Sequence, residues 1–295
     1  MKSLRKLRYG LEYLALRAGL AFIECVPLRA ATWAASSLGG IYFRANARRR
    51  TLAEDNIRRA GVAVQDEDAH RIARASFRHM GLVAVESVKF ARAVTKDNWR
   101  SHLEFAVSQQ TMDMLRDDRQ ALIIASGHLG NWEIAAQAVG FICPITGIAR
   151  DMNNPYVNRL IKQRSSRQNF NTIPKGSGGH ALLSALRGGE ALAILVDQHA
   201  RTSGMMIDFF GQPASTHTSP ARLHLATGAP LLVGYCLRTG PLAYRITITD
   251  PISFTPTGNK QGDVKAILEQ LNAVLEDAIR RFPEQYLWAH RRWRY

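Results

Sequence analysis

Residues 121–133 read ALIIASGHLGNWE, and this stretch decides the fold. Ala121 to Ala125 is a short apolar run of the kind that forms a strand buried on both faces. The Ser-Gly-His-Leu-Gly-Asn segment then predicts a sharp turn, after which Trp132 to Val139 resumes a helical pattern. Open α/β sheets carry their functional residues beyond the carboxyl ends of the strands. The stretch therefore predicts an α/β fold and places a candidate site after its first buried strand.

His128 and Glu133 are the candidate catalytic residues of this turn. On one continuous helix they would point about 140° apart, because an α-helix has 3.6 residues per turn. They can meet only if the chain bends between them, and Gly130 supplies a residue able to bend. An imidazole oriented by a carboxylate is a general-base arrangement. A purely structural His and Glu is the alternative interpretation.

The nature of the reacting group follows from what surrounds the histidine in sequence. Ser126 lies two residues before His128, but it lacks the flanking glycines of a nucleophile elbow. A base at His128 would therefore most simply activate a hydroxyl of the substrate. This pattern favours group transfer onto an alcohol.

Strands and helices alternate after residue 120, which predicts a single α/β domain with a central, mostly parallel sheet flanked by helices. The predicted strands are Ala121–Ala125, Ile145–Ala149, Ala191–Val196, Leu231–Leu237 and Tyr244–Thr249. The last one alternates apolar and polar residues, so we expect it to be half exposed and near a sheet edge. Helices are predicted from Ser219-Pro220 to Gly228 and along the stripe from Val264 to Ala278.

An earlier helix is predicted from apolar residues at steps of three and four, which indicate one buried face. These residues are Ala73, Phe77, Met80, Ala84 and Val88.

The N-terminal segment is the second strong signal in the chain. It is basic at its start and apolar from Leu11 to Phe43, yet its longest uncharged run is only Ala30 to Phe43. A spanning helix needs about 20 apolar residues, so two helices broken at Pro27 and lying in the membrane interface are the better interpretation. The cations Arg44, Arg48, Arg49 and Arg50 follow. We therefore divide the chain into a membrane-associated helical segment, residues 1–48, and an α/β domain, residues 49–295. An ordinary solvated helix face is the alternative.

The overall charge indicates an anionic partner. The chain of 295 residues has 39 Lys and Arg against 24 Asp and Glu, a net charge of +15. Nucleic acid, an anionic membrane and a phosphorylated substrate all fit such a balance. The apolar N-terminal segment favours a membrane over nucleic acid. No zinc-ligand spacing or phosphate-binding glycine loop is present, so we expect no metal and no resident cofactor.

Further candidate residues follow the predicted strands. Arg150 comes directly after the second strand, Arg164 and Arg167 come on or after the next helix, and Asp197 closes the strand Ala191–Val196. Guanidinium groups fork onto phosphate oxygens, so the arginines suit the phosphates of an acceptor, although surface ion pairs explain each one almost as well. Asp197 is expected to orient an arginine, to position the acceptor, or to be structural. Backbone amides around Gly130 and Asn131, or a nearby arginine, are candidate oxyanion donors.

The assembled motifs resemble the lipid A biosynthesis acyltransferases, a branch of the His-x4-Asp/Glu glycerolipid acyltransferases. The resemblance covers nearly the whole chain. Beyond the motif from His128 to Glu133, it is carried by Phe209-Phe210-Gly211 and by residues 285–292, which read QYLWAHRR. The segment Arg150–Pro155 departs from the family pattern, because Asp151 stands where the family usually has proline.

The resemblance implies an O-acyltransferase of the inner membrane, acting at its cytoplasmic face. It implies His128 as the base, Glu133 as its orienting partner, and Arg164, or Arg167, as a substrate contact. A fatty acyl chain would pass from the thioester of acyl carrier protein, or of coenzyme A, to a hydroxyl of an anionic, Kdo-bearing and phosphorylated glycolipid. The expected partners are thus acyl carrier protein, this acceptor and inner-membrane lipid.

Three alternatives to this function stay open at this point. The first is an acyltransferase of the same group that acts on another glycolipid or phospholipid. The second is a basic, membrane-binding protein without catalysis, and the third is a nucleic-acid-binding module. Residues Phe141, Met152, Met205, Met206 and Phe209 are candidates for an acyl channel, although such residues are more often core.

Overall fold

The computed structural model describes residues 2–117, 119–166 and 169–294. Its helices are α1 (Lys2–Cys25), α2 (Leu28–Ala45), α3 (Ala47–Arg59), α4 (Asp66–Ala93), α5 (Gln109–Arg116), α6 (Trp132–Val139), α7 (Pro155–Ser166), α8 (Gly178–Arg187), α9 (Ser219–Thr227) and α10 (Lys260–Arg281). Its strands are β1 (Leu103–Ala106), β2 (Leu122–Ser126), β3 (Ile145–Ala149), β4 (Phe170–Pro174), β5 (Ala191–Leu195), β6 (Met205–Phe209), β7 (Gln212–Thr216), β8 (Leu231–Gly240) and β9 (Ala243–Ile248).

Seven strands form one sheet in the order β1-β9-β8-β2-β5-β3-β4. Every neighbouring pair is parallel except β8 and β9, which are antiparallel. The remaining strands, β6 and β7, form a separate antiparallel hairpin. The prediction of an α/β domain with a mostly parallel central sheet is confirmed.

Both faces of the central strands are covered, as their continuous apolar runs predict. Ile123 and Ala125 of β2 belong to one buried cluster, together with side chains of α3, α4, α9 and α10. Leu122 and Ile124 of the same strand belong to a second cluster on the opposite face, with side chains of α5 and α6. Along β9 the apolar positions are buried and the alternate ones less so, as predicted, and the strand lies second from the edge.

The N-terminal region consists of two helices separated at Pro27, as predicted. Helix α2 packs on α4 at close range, because glycines replace side chains at the crossing. A Cβ at Gly39 would lie 2.3 Å from the Phe77 carbonyl oxygen, and one at Gly81 would lie 2.2 Å from that of Ala35. The boundary predicted between residues 48 and 49 falls in the first turn of α3. The division into two segments stays a prediction.

Helix α1 is attached to the rest of the chain mainly through polar contacts. Asn154, at the start of α7, donates to the carbonyl oxygen of Tyr9 (2.8 Å) and to the carboxylate of Glu12 (2.9 Å). Glu24, near the other end of α1, pairs with Arg164 of α7. In the described part of the chain, no helix combines the length and the hydropathy needed to cross a membrane.

Helix α4 buries several polar side chains in addition to apolar ones, including Ser76, His79 and Glu86. The stripe predicted from Ala73 to Val88 is only partly correct, since Ala84 is exposed. The buried face is rotated because α4 lies between α2 and the sheet, and its polar groups reach toward the turn after β2.

Candidate active site

The candidate site lies at the carboxyl edge of the sheet, where β2 and β5 end side by side. These strands are parallel neighbours, and Ser126 at the end of β2 lies opposite Leu195 at the end of β5. The residues two positions beyond them are His128 and Asp197. The register of the two strands therefore brings an imidazole and a carboxylate to the same point.

His128 and Asp197 form a buried hydrogen-bonded pair. Nδ1 of His128 lies 2.7 Å from Oδ1 of Asp197, and the backbone N–H of His128 donates to Oδ2 of the same carboxylate at 2.7 Å. A carboxylate can only accept at Nδ1, so this contact places the proton on Nδ1 and leaves the lone pair on Nε2. The Gln198 side-chain nitrogen lies 3.2 Å from Nε2. The ring is thus prepared to accept a proton at Nε2.

Electrostatics favour this pairing. Burial lowers the pKa of His128, but the charge of Asp197 and the hydrogen bond to it outweigh burial, so the pKa lies above that of a free imidazole. Burial raises the pKa of Asp197, yet the His128 ring and the hydrogen bonds from His128 bring it to about 2. Asp197, which is 3% exposed, is therefore ionised at neutral pH.

The turn after His128 depends on Gly130. Its φ of +65° suits glycine, and a Cβ at this position would lie 1.8 Å from the carbonyl oxygen of Cys236. The amide of Gly130 donates to the Gln285 carbonyl oxygen, and that of Asn131 donates to Cys236. The prediction that these amides are free to hold an oxyanion is wrong, because neighbouring backbone carbonyls already occupy both.

The C-terminal segment completes the site from the opposite end of the sequence. The amide of Leu287 donates to the carbonyl oxygen of His128, and residue Leu129 forms an antiparallel bridge with Tyr286. Burial, together with the charge of Asp197 and a hydrogen bond to it, raises the pKa of Tyr286 well above that of an ordinary phenol. The Tyr286 hydroxyl therefore stays protonated beside Asp197.

Helix α4 supports the same turn through its buried polar groups. A ring nitrogen of His79 lies 3.1 Å from the Gly130 carbonyl oxygen. Burial lowers the pKa of His79, so the ring is neutral at neutral pH and its N–H donates to that oxygen. Ser76 donates to the carbonyl oxygen of Tyr286. These contacts hold the catalytic turn and the C-terminal segment together.

Glu133 lies in the first turn of α6, where it lines an apolar cavity of about 190 Å³. Burial raises its pKa, against a hydrogen bond from Trp132 and the charge of His128. The Trp132 ring stands edge-on to the His128 ring at a centroid distance of 4.7 Å. The hydrogen bond to His128 that the sequence interpretation gave to Glu133 belongs to Asp197, while Glu133 acts on the ring only through its charge.

The apolar cavity runs along α6, away from the catalytic turn. Ser126 and Glu133 line it near the carboxyl edge of the sheet, and Val139, Ile145 and Phe170 line it at the end of α6 and the starts of β3 and β4. The five residues predicted to form an acyl channel do not line it. Phe209 is core, and Met152 and Met206 are exposed. Trp132 lines the cavity and its ring contacts that of His128, so the apolar cavity lies next to the His128–Asp197 pair.

Comparison with known proteins shows the family to which the chain belongs. The family model described as bacterial lipid A biosynthesis acyltransferase matches residues 1–295.

The chain belongs to this family.

Several characterised relatives agree with the assignment. The lipid A biosynthesis palmitoleoyltransferase of Escherichia coli (strain K12) is 24% identical over 253 residues, which cover 84% of this chain and 79% of that protein. The lipid A biosynthesis lauroyltransferase of the same organism is 25% identical over 62% of this chain and 60% of its own length. The phosphatidylinositol mannoside acyltransferase of Mycobacterium tuberculosis (strain CDC 1551 / Oshkosh) is 25% identical over 58% of this chain and 54% of its own length. The protein is therefore an O-acyltransferase of the lipid A family.

The structure places the arginines predicted for this acyltransferase in different environments. Arg150 is exposed directly after β3, at the same edge of the sheet as His128. Arg164 instead pairs with Glu24 of α1, with 3.0 Å between the guanidinium and the carboxylate. Arg167 lies outside the described residues. Their roles as substrate contacts stay predictions.

Asn131 acts as the N-cap of α6 in this acyltransferase. Its side-chain oxygen accepts from the amide of Ile134 and from the hydroxyl of Ser87. The side-chain oxygen thus already has two partners inside the protein. The contact between Asn131 and substrate stays a prediction.

Sequence reasoning missed the connection between Asp197 and His128. The available signal was a carboxylate directly after a predicted strand, but the sequence does not show which strands are neighbours in the sheet. The roles of Gln198 and Tyr286 were missed for the same reason. Arg292 was also missed as a core residue. It is 2% exposed, and its guanidinium donates to the Ser215 carbonyl oxygen and to the Thr216 hydroxyl.

Proposed function

We propose that this acyltransferase moves a fatty acyl chain from the thioester of acyl carrier protein to a hydroxyl of a lipid A precursor. The observation that carries the proposal is the hydrogen-bonded His128–Asp197 pair beside the apolar cavity. Nε2 of His128 can accept the proton of an alcohol, because Asp197 holds the ring proton at Nδ1, and the apolar cavity suits a hydrocarbon chain. The relatives named for lipid A acyl transfer support the choice of acceptor.

In the proposed mechanism, the acceptor hydroxyl donates a hydrogen bond to Nε2 of His128. The ring removes the hydroxyl proton while the oxygen attacks the thioester carbonyl carbon and forms a tetrahedral intermediate. Collapse breaks the carbon–sulfur bond, and the imidazolium returns its proton to the departing thiolate. Asp197 keeps the ring in its reactive tautomer and stabilises the imidazolium.

The charges that develop during this reaction need partners. The side-chain amide of Gln198 lies 3.2 Å from Nε2 of His128, so it is within reach of the oxyanion in the intermediate. Glu133 lines the cavity, and its charge acts on His128. It therefore stabilises the imidazolium in addition to Asp197. Arg150 lies at the same edge and suits a phosphate of the acceptor.

We also propose that the protein acts at the cytoplasmic face of the inner membrane, attached through α1. Exposed leucines recur along α1 at intervals of three and four residues, which places them on one stripe: Leu4, Leu7, Leu11 and Leu14. Arg5, Lys6 and Arg8 are exposed beside this stripe. Apolar and cationic side chains in this arrangement are typical of helices that lie in the interface of an anionic membrane.

The test of the proposed reaction is acyl transfer in detergent from acyl carrier protein to a Kdo-bearing lipid A precursor, followed by mass spectrometry. We expect product from the wild type and a loss of about 10²–10⁴-fold in turnover from His128→Ala, because a positioned base contributes that factor. Arg222→Gln, an exposed change on α9, serves as the control for general damage.

The outcomes separate the chemistry from the acceptor. Equal product from wild type and His128→Ala would remove this histidine from the mechanism. If the wild type forms no product with any chain length, this acceptor is rejected, and a phosphatidylinositol mannoside is the next acceptor to be assayed. If coenzyme A thioesters replace the carrier protein with equal kcat/KM, the proposed donor is wrong.

A further inference from the structure

A second cavity lies between the start of α3 and the C-terminal segment. It is polar and encloses about 310 Å³. Its lining comprises Arg48, Arg49, Leu52, His290, Arg291 and Arg294, and we call it the arginine cavity. From the sequence alone, the two arginine groups are interpreted separately, one as a membrane-binding cluster and the other as part of the family motif at residues 285–292. The fold brings them together around one space.

The arginine cavity concentrates positive charge without internal neutralisation. Among the residues that the structure describes, no carboxylate forms an ion pair with any of its four guanidinium groups. Arg49 donates to the carbonyl oxygen of Ala289, a neutral group. All four arginines are exposed, so water and salt weaken their mutual repulsion, and an anion bound between them would weaken it further.

The first turn of α3 contributes to the arginine cavity, and its position at the start of a helix makes the cavity more favourable for an anion. Its first turn contains Arg48, Arg49 and Arg50 and no acidic residue. The positive end of a helix dipole disfavours cations and favours anions. A bound anion would therefore relieve both the repulsion between the arginines and their unfavourable place on the helix.

The wall of the arginine cavity is held in place by a buried side chain. Asn56 of α3 is 6% exposed, and its amide donates to the carbonyl oxygens of Trp288 and His290, each at 2.8 Å. These two bonds fix the C-terminal segment against α3. The backbone around the cavity is consequently in place before any ligand arrives, and only the exposed arginine side chains must become ordered on binding.

His290 connects the arginine cavity to the catalytic pair. One of its ring nitrogens lies 3.3 Å from the amide nitrogen of His199, two residues after Asp197. Burial lowers the pKa of His290 to about 4, and the charges of Asp197 and His128 also act on it. A ligand in the cavity would thus lie one side chain away from the reacting groups.

We propose that the arginine cavity binds a phosphomonoester of the lipid acceptor and so positions the acceptor hydroxyl at His128. The inference rests on the proposed function and specifies how its acceptor is recognised. A phosphomonoester carries about −1.5 to −2 charges at neutral pH, whereas a phosphodiester such as that of a phosphopantetheine arm carries about −1. Four guanidinium groups without a carboxylate partner match the more highly charged group better, since each can donate two parallel hydrogen bonds to it.

The first test titrates inorganic phosphate into the full-length protein by isothermal calorimetry. We expect one saturable site in the wild type and an affinity at least about tenfold weaker in the double variant Arg48→Gln/Arg291→Gln, since charge-assisted bonds are lost. Arg44→Gln removes one charge from the same basic segment outside the cavity, so it should bind phosphate like the wild type. Circular dichroism checks that all three proteins are folded.

The second test measures KM for each substrate in acyl transfer. The double variant should raise KM for the phosphorylated acceptor at least about tenfold. It should leave KM unchanged for the phosphatase-treated acceptor and for the acyl donor.

Four results would overturn the proposal. These are no saturable phosphate site in the wild type, equal phosphate affinity in the double variant, a raised KM for the donor in place of the acceptor, and an equal rise in acceptor KM in Arg44→Gln. If the wild type transfers no acyl chain to the lipid A precursor, the proposed function fails separately, and the titration alone still decides whether the cavity binds phosphate.

Discussion

At the residue scale, the reactivity proposed for His128 depends on one carboxylate, which follows the neighbouring strand. Asp197 accepts from Nδ1 and also from the backbone amide of His128, so it fixes both the ring and the turn that carries it. Because both of these donors belong to His128, removing the charge of this buried Asp affects the tautomer, the basicity and the position of the ring together.

The substitution Asp197→Asn is expected to change the pH profile of the reaction. The base acts in its neutral form, so kcat/KM should rise with pH through the pKa of His128, which Asp197 holds above about 6.5. In the variant the charge of Asp197 no longer raises the pKa of His128, whereas burial still lowers it. The acid limb should therefore move to lower pH, while the plateau falls about 10²–10⁴-fold because the tautomer is no longer fixed.

Initial rates between about pH 5 and 9 test this prediction for both proteins. An acid limb at the same pH in wild type and Asp197→Asn would mean that another group titrates. Glu133→Gln is the matched comparison, because its charge raises the pKa of His128 as well but has a smaller effect than Asp197. Its acid limb should move in the same direction by less.

Side chains at the far end of the apolar cavity are expected to determine the length of the acyl chain. Phe170 lines that end, while Ala136 lines the middle from α6. Phe170→Ala should lengthen the preferred chain by opening the end, and Ala136→Leu should shorten it by filling the middle. Competition between acyl donors of several lengths, read by mass spectrometry, measures both shifts. Unchanged preferences in both variants would place the acyl chain outside this cavity.

At the element scale, the turn between β2 and α6 is the most constrained connection of the site. Its conformation depends on Gly130, whose positive φ and close approach to Cys236 exclude a side chain. Gly61 provides a matched comparison, because it has a similar φ of +62° but a Cβ added there would meet no atom within 4 Å. Alanine at Gly61 would carry only the cost of the left-handed backbone conformation, whereas alanine at Gly130 would also clash with Cys236.

Gly130→Ala is expected to reduce stability and activity much more than Gly61→Ala. A left-handed conformation costs a non-glycine residue about 1–2 kcal/mol, and this applies to both variants. At Gly130 the chain must also move away from Cys236, which displaces His128. Urea unfolding measures the stability loss, and the acyl transfer assay measures the activity. Equal losses in both variants would show that the close approach at Gly130 carries no cost.

The elements that are evident from the sequence are those with a strong periodic pattern. The five predicted strands correspond to β2, β3, β5, β8 and β9, within a few residues at their ends. Strand β1 was missed because it has only four residues, and β4 was missed because it contains polar residues and Pro174. The β6–β7 hairpin was missed because its turn, Phe210-Gly211, has positive φ at both residues, and phenylalanine is an unusual residue there.

The site was predictable in part for a related physical reason. His128 was evident because it follows a clear strand and precedes a clear helix. Its partner Asp197 was not, because pairing depends on the order of strands in the sheet, and β5 lies between β2 and β3 in space. The arginine cavity needed the tertiary structure for the same reason, since its two halves are about 240 residues apart.

At the scale of the whole molecule, the polar side chains of α1 contact the rest of the protein, whereas its leucine stripe is exposed. Its polar side chains hold it to α7 through Asn154 and Arg164, while the stripe containing Leu7 and Leu11 is exposed. A net charge of +15 adds a general attraction to anionic surfaces. The contacts with α7 therefore set how α1 lies on the protein and leave its apolar stripe exposed, which suits the proposed contact with lipid.

The double variant Leu7→Ser/Leu11→Ser is expected to weaken binding to vesicles that contain phosphatidylglycerol. Burying a leucine side chain contributes about 1.5–3 kcal/mol, so the loss should be at least about tenfold. Val64→Ser is the control, because Val64 is 92% exposed but lies in the loop after α3. Co-sedimentation at low and high salt measures both. If Leu7→Ser/Leu11→Ser and Val64→Ser bind the vesicles equally well, α1 does not attach the protein to the membrane.

The contacts between the C-terminal segment and the catalytic turn also have a consequence for biosynthesis. His128 and Asp197 emerge from the ribosome well before residues 285–292, which supply Gln285 and Leu287 to the turn. A nascent chain that stops before these residues contains both members of the pair but lacks the partners that hold them. The reactive arrangement therefore arises late in translation, and an interrupted chain would expose an unsupported turn to proteases instead of forming an active enzyme.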